Sequence, residues 1–328
     1  MRSISYTIAM VLLLILSSNV LSQLSSSQQG STSHYVFDPA WPLKPDRYKW
    51  AQMPGIAVDK QDQIYIFTRN QPTVQVYKTD GTLLRAMYME DSSGAHFIRI
   101  GPEGNIWTAN IAEHLVRKYS PKGKLLLTLG EPGIAGADKV HFDRPTDMVI
   151  LPTGDIFVSD GYGNRRIVHF NADGKYVNQW GRAGDGPGEF ALPHSIVADS
   201  LNRLYVADRE NARIQVFDTK GKLLAVWADL ITPWGLCMTK KDEIWVCGSS
   251  VMKDEKGKWL VLPPPDQILM KLDLEGKVLF RMSLDMTTSP PGKSGELNWV
   301  HAIALDSQGN LYLGDIQGKR AQKFLRKQ

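Results

Sequence analysis

The segment DIFVSDGYGNRRIVHFNADGKYVNQWG, which begins at Asp155, returns from Arg203 as RLYVADRENARIQVFDTKGKLLAVWA, with weaker copies from Gln63, Asn105, Glu243 and Asn310. Self-similarity at a period of roughly 40 to 50 residues implies that one supersecondary unit is stacked on copies of itself. Each copy has the same grammar: an apolar strand, a tight turn such as Pro152-Thr153-Gly154-Asp155, a strand such as Ile156-Phe157-Val158, a polar loop, a third strand such as Arg166-Ile167-Val168-His169-Phe170, and a last strand after Asp/Gly-Lys. Short β-branched and aromatic runs bounded by Gly, Asn and Asp are strands and hairpins, so the unit is a four-stranded blade. Such units at this period predict an all-β fold, the β-propeller.

The residues that open successive first strands are Gly55, His96, Thr146, His194, Trp234 and His301, so six blades are expected. The sixth runs out of chain after its third strand, near Ala321 to Leu325. His34-Tyr35-Val36-Phe37 is expected to supply the missing outer strand and close the ring, which removes an open edge. Residues 34–328 are therefore expected to form one propeller domain.

Ahead of it, Arg2 precedes an apolar run from Ile8 to Leu16 and the small residues Ser17 and Ser18. A run of nine is short for a spanning helix and reads as a secretory signal peptide over residues 1–22, followed by a polar leader over 23–33. Secretion or periplasmic export follows. No Cys follows the apolar run, so a lipid-anchored lipoprotein is not expected. The formal charge of +4 comes without any Lys/Arg cluster, which makes nucleic acid a poor partner. No membrane span is expected in the domain, and a monomer is.

Of the seven histidines, His96, His194 and His301 share one position, the start of the innermost strand, in blades two, four and six. Alternate blades of a six-fold ring stand about 120° apart, so the three imidazoles converge on the channel as a tripod. Three His with an open position form the ligand set of catalytic zinc. His114, His141 and His169 lack such partners and read as ordinary hydrogen-bonded side chains. Strand two runs antiparallel to strand one, so the loop that follows it surrounds the tripod; those loops carry Arg69, Tyr162 and Arg209. Two guanidiniums suit an anionic substrate, and a tyrosine beside them suits a base; the alternative is solvated loop residues or pairs with Asp160 or Asp208.

The Asp-x-x-Asn-x-Arg-Ile-x-x-Phe run at Asp208–Phe217 resembles NHL repeats. Beyond the repeat, the chain from about His34 to Phe324 resembles the peptidyl-α-hydroxyglycine α-amidating lyases, the lyase domain of peptidylglycine α-amidating monooxygenase. The strongest stretches are His141-Phe142-Asp143-Arg144-Pro145-Thr146-Asp147, Val158 to Val168, Leu192-Pro193-His194-Ser195 and Val206 to Gln215. The resemblance implies zinc ligands at His96, His194 and His301, a catalytic tyrosine at Tyr162 and active-site arginines at Arg69 and Arg209. It implies cleavage of an α-hydroxyglycine carbinolamide, a peptide C-terminal or small-molecule substrate with a carboxylate, to an amide and glyoxylate. The family's Met-Pro-His-Asp is here Trp299-Val300-His301-Ala302, and loss of the acid at Ala302 counts against a structural calcium. The family's disulfide cysteines are replaced by Asp143, Gly163, Tyr205 and Val216, and no copper monooxygenase accompanies the lyase in this chain.

A zinc-dependent hydrolase of a small anionic ester or lactone, and a non-catalytic NHL-repeat binding module, are the competing readings. Cys237 and Cys247 flank the turn at Lys240-Lys241, and register alone leaves a disulfide or two thiols open. The insert from Val251 to Pro265 in blade five, with Trp259 and Pro263-Pro264-Pro265, leaves on the tripod face and is expected to wall the pocket.

Overall fold

The computed structural model describes residues 34–89, 91–254, 258, 264–287, 289 and 292–327. The signal peptide and leader expected over residues 1–33, and Trp259 and Pro263 of the blade-five insert, lie outside the described residues. The remainder is a six-bladed β-propeller of six four-stranded antiparallel sheets. Their inner strands are Gly55–Val58, Ala95–Ile100, Asp147–Ile150, Pro193–Ala198, Thr232–Met238 and Val300–Leu305.

Burial explains the blade grammar. The middle strands Ile156–Asp160 and Arg166–Phe170 of blade three are buried on both faces, because each sheet packs between two neighbours. The outermost strand of blade four, Leu223–Ala228, alternates between half-buried and exposed, as a strand with one wet face must. Tyr205, Ile214 and Val216 of blade four meet Leu236, Val246 and Ile268 of blade five in one apolar cluster. The propeller is thus a ring of such contacts, each buried side chain contributing about 1.5–3 kcal/mol.

The last blade is composite. Tyr35–Phe37 pairs antiparallel with Arg320–Arg326, Tyr35 opposite Arg326 and Phe37 opposite Phe324. Trp41 then packs against Tyr77 of blade one and Tyr312 of blade six, sealing the seam.

The Asp-x-x-Asn-x-Arg motif fastens the loops at one mouth of the channel. Asp208 accepts from the Ala191 and Leu192 amides through Oδ1, and from Asn211 Nδ2 (2.7 Å) and Arg213 Nε (2.8 Å) through Oδ2. Asp160 repeats the pattern with the Asp143 amide, Asn164 and Arg166. The acids expected as possible partners of Arg209 and Tyr162's loop are therefore used by Arg213 and Arg166.

Cys237 lies opposite Trp245 and Cys247 opposite Gly235, two positions out of register, and both are free thiols. At the positions of the family's cysteines, Tyr205 stands directly opposite Val216, and the Gly163 amide donates to the Asp143 carbonyl at 3.0 Å.

Candidate metal centre

His96, His194 and His301 converge at the channel axis. Their ring centroids are 4.7–4.9 Å apart, and one ligand atom from each lies within 4.8 Å of the others. A local irregularity in each inner strand aims them there. In blade two Ala95 pairs with Asn110 and Phe97 with Ala109, so His96 is skipped by the ladder; His194 and His301 are skipped in the same way. An extra residue in one strand leaves the ladder and turns its side chain aside.

The odd-numbered blades hold what the even ones present. His96 Nδ1 donates to the Thr146 carbonyl at 2.7 Å, His194 Nδ1 to Trp234 O at 2.5 Å and His301 Nδ1 to Pro54 O at 2.7 Å, each carbonyl belonging to the next blade. These bonds fix the tautomer with a lone pair on each Nε2. Burial, the largest cause, pushes His96 and His194 well below the ordinary imidazole value and His301 down to about 3, with neighbouring Arg209 and Arg69 adding to the effect. Three neutral, oriented imidazole nitrogens in one buried cluster form a donor set that fits zinc.

Tyr162 lies against this cluster. Its hydroxyl lies 3.1 Å from His96 Nε2 and 3.4 Å from His194 Nε2. Glycines on either side let it approach: a Cβ on Gly161 would meet Pro193 O at 2.2 Å, and one on Gly163 would meet Asp143 Oδ2 at 2.0 Å. Arg69 donates through Nε to Ala95 O at 3.0 Å, and burial lowers its pKa. Among the described residues no carboxylate forms an ion pair with it. Arg209 pairs with Glu210 at 3.1 Å and lies over the rings of Trp234 (4.6 Å) and Tyr162 (5.8 Å).

All six candidate residues thus surround one point. The other histidines lie apart from it: His169 bonds Asp155, His141 bonds Asp138, and His114 accepts from the Arg144 amide. Sequence reading missed what supports the tripod. Phe97 packs beneath it, 5.2–5.9 Å from the three imidazole rings, and Arg99 lies under Phe97. Arg99 binds Asp147 at 2.5 Å, Ser195 Oγ at 3.1 Å and Leu236 O at 3.0 Å, so one side chain of blade two ties blades three, four and five together. Trp234 occupies, in blade five, the same skipped position as the histidines. The register that found the histidines contained Thr146 and Trp234 as well, but a carbonyl ligand leaves no side-chain signature. A cavity of about 1080 Å³ opens at the opposite mouth, and none of the six candidate residues lines it.

Fold and site together define an NHL-type six-bladed propeller with a buried histidine tripod at one mouth. A family model described as a 6-bladed beta-propeller matches residues 138–243. NHL repeat-containing protein 3 of Homo sapiens is 32% identical over 317 residues, covering 89% of this chain and 84% of that protein. Peptidyl-glycine alpha-amidating monooxygenase of Mus musculus is 40% identical over 179 residues, 52% of this chain and 17% of that protein. The probable peptidyl-alpha-hydroxyglycine alpha-amidating lyase of Caenorhabditis elegans is 28% identical, covering 82% and 81%. The chain belongs to the family of NHL-repeat propellers that holds NHL repeat-containing protein 3 and the peptidyl-α-hydroxyglycine α-amidating lyases.

Proposed function

We propose that this chain is an exported, zinc-dependent carbon–nitrogen lyase that cleaves an N-acyl-α-hydroxyglycine to a primary amide and glyoxylate. The observation that carries this reading is the Tyr162 hydroxyl 3.1 Å from His96 Nε2, beside a guanidinium, that of Arg69, without an acidic partner among the described residues. A metal-binding scaffold alone needs neither group. An enzyme acting on a hydroxy acid needs both.

Arg69 offers its two terminal nitrogens to the substrate carboxylate, a bidentate pair that fixes the carbinol carbon over the tripod. Arg209, held by the rings of Trp234 and Tyr162, adds positive charge on the other side of Tyr162. His96, His194 and His301 would hold a zinc ion, which when bound would supply Lewis acidity to the site. The Tyr162 oxygen takes the carbinol hydroxyl proton as it passes its own proton to the departing nitrogen; the carbinol C–O becomes a carbonyl as the C–N bond breaks, and the nitrogen leaves as the amide. The atoms of the substrate are divided between the two products, and nothing is added.

Glyoxylate released from α-hydroxyhippurate by zinc-loaded protein, and lost with Tyr162→Phe, is the expected result. Hydrolysis of a small ester or lactone without glyoxylate release from any α-hydroxyglycine would replace the lyase with the hydrolase. Export rests on residues 1–22. Among the described residues no helix is long and apolar enough to cross a membrane. Amino-terminal sequencing of the exported protein is expected to read from Gln23.

A further inference from the structure

Against His194 stands an aromatic pair that the reaction chemistry does not require. Trp234 is 2% exposed, and its ring lies 5.9 Å from that of His194, 4.6 Å from the Arg209 guanidinium and 5.0 Å from the ring of Trp299. The two rings meet edge to face at 73°, and Trp299 is only half-buried, so it is the accessible member of this pair and Trp234 backs it.

Trp299 is also held in an unusual conformation. Its φ is +76°, and it is the only indole, phenyl or phenol residue among the described non-glycine residues with positive φ. A bulky aromatic in the left-handed region is a genuine outlier, and such outliers persist where the surroundings over-determine them. Here the ties are backbone ones. The Asn298 amide donates to Asp315 Oδ2 at 2.8 Å, and the carbonyls of Asn298 and Trp299 accept from Gln317 and Ile316 at 3.1 Å. The turn delivers the indole against Trp234 two residues before His301.

The ring geometry gives the pair its direction. Arg69, from the loop after Ile64–Phe67 of blade one, leans on Ala95 of blade two and adds to the lowered pKa of His96 and His301, whereas the Trp234 ring of blade five lies against His194 of blade four. Arg69 and the indole pair thus meet different members of the tripod. A ligand whose carboxylate lies on Arg69 and whose reacting carbon lies over the tripod reaches the two indoles with its other substituent when that substituent extends past His194. We infer that Trp299, backed by Trp234, forms an aromatic subsite that selects substrates with an aromatic ring on the acyl side of the scissile bond. This rests on the lyase reading for the orientation of the substrate, but it is a statement about binding and is testable without turnover.

The test uses N-benzoylglycine and N-acetylglycine, unreactive carboxylates that differ in the acyl group, titrated into zinc-loaded protein by calorimetry. The benzoyl compound is expected to bind at least about tenfold tighter, the order of a stacked aromatic pair plus ring burial. Trp299→Ala should bring the ratio to within about twofold, with metal content and N-acetylglycine affinity unchanged, and Trp299→Phe should restore part of it. Trp234→Phe, which keeps a ring in the buried position, should give an intermediate ratio. A ratio near one in the unaltered protein, no binding of either compound, or a ratio that survives Trp299→Ala overturns the subsite. If the ratio behaves as expected while α-hydroxyhippurate yields no glyoxylate, the subsite stands and the lyase reading falls.

Discussion

The Tyr162 hydroxyl and His96 Nε2 lie 3.1 Å apart although they come from different blades, one from a loop held by Asp160 and Asn164 and the other from a skipped position in an inner strand. The proposed base and the proposed ligand set are therefore positioned independently, and a change to one need not disturb the other.

Tyr162→Phe removes only the phenolic oxygen. Stoichiometric metal and an unchanged melting temperature are expected, with kcat for glyoxylate release lowered by about 10² to 10⁴. Near-normal turnover would exclude Tyr162 as the base.

Arg69→Ala should act on binding and rate together, because a carboxylate is present in the ground state as well as the transition state. A rise in KM accompanied by a fall in kcat is expected, whereas Tyr162→Phe should move kcat chiefly; the KM-to-kcat split of the two variants decides the roles.

Purified protein should hold about one divalent ion per chain, and zinc by donor preference. Metal analysis of His194→Ala is expected to find no stoichiometric ion while circular dichroism remains that of the intact propeller. Wild-type protein that stays metal-free after dialysis against zinc contradicts the ligand assignment.

Metal-free protein should lose stability in acid. The tripod imidazoles have folded pKa values below the ordinary 6.5, His301 at about 3, because burial disfavours their charged forms. Between those values and 6.5 the unfolded chain binds protons that the folded chain does not. Stability therefore rises with pH across that window, by about 1.4 kcal/mol per pH unit per imidazole, and the gain levels off above 6.5. Denaturant midpoints of chelator-treated protein from pH 4 to 7 should show this slope, and His301→Asn should make it shallower by about one proton.

Arg99→Ala strips Asp147 of its cation while leaving the carboxylate with no exposed surface. A cost of about 3–5 kcal/mol is expected, partly recovered by adding Asp147→Asn, since removing one member of a buried pair costs more than removing both. Additive destabilisation by the two changes in chemical melts would mean that they are not coupled.

The blade count, the composite sixth blade and the convergence of His96, His194 and His301 were legible because each rests on a repeated residue pattern: strand period, turn chemistry and a shared strand-opening position. Arg69, Tyr162 and Arg209 were found because antiparallel pairing returns the second strand to the end where the first begins. What supports them was not legible. The carbonyls of Pro54, Thr146 and Trp234 carry no side-chain signal, and Arg99 reads in sequence as one polar residue in an apolar strand until the ring brings Asp147, Ser195 and Leu236 around it. The offset of Cys237 from Cys247 was likewise set by the length of the turn between Met238 and Ile244, whose register puts Cys237 opposite Trp245 and Cys247 opposite Gly235, a choice that strand propensity does not reveal.

The pairing of Tyr35–Phe37 with Arg320–Arg326 makes the molecule a ring whose first and last strands clasp. On the ribosome, five blades are complete before the strand that locks them has been made, so the circle stays open until Arg320–Arg326 has emerged. An exported chain would reach its destination with that clasp as its final folding step, and with it the last of the three histidines, His301, on the blade that the clasp completes. Competence to hold a metal would then report that all six blades have been delivered and the ring closed.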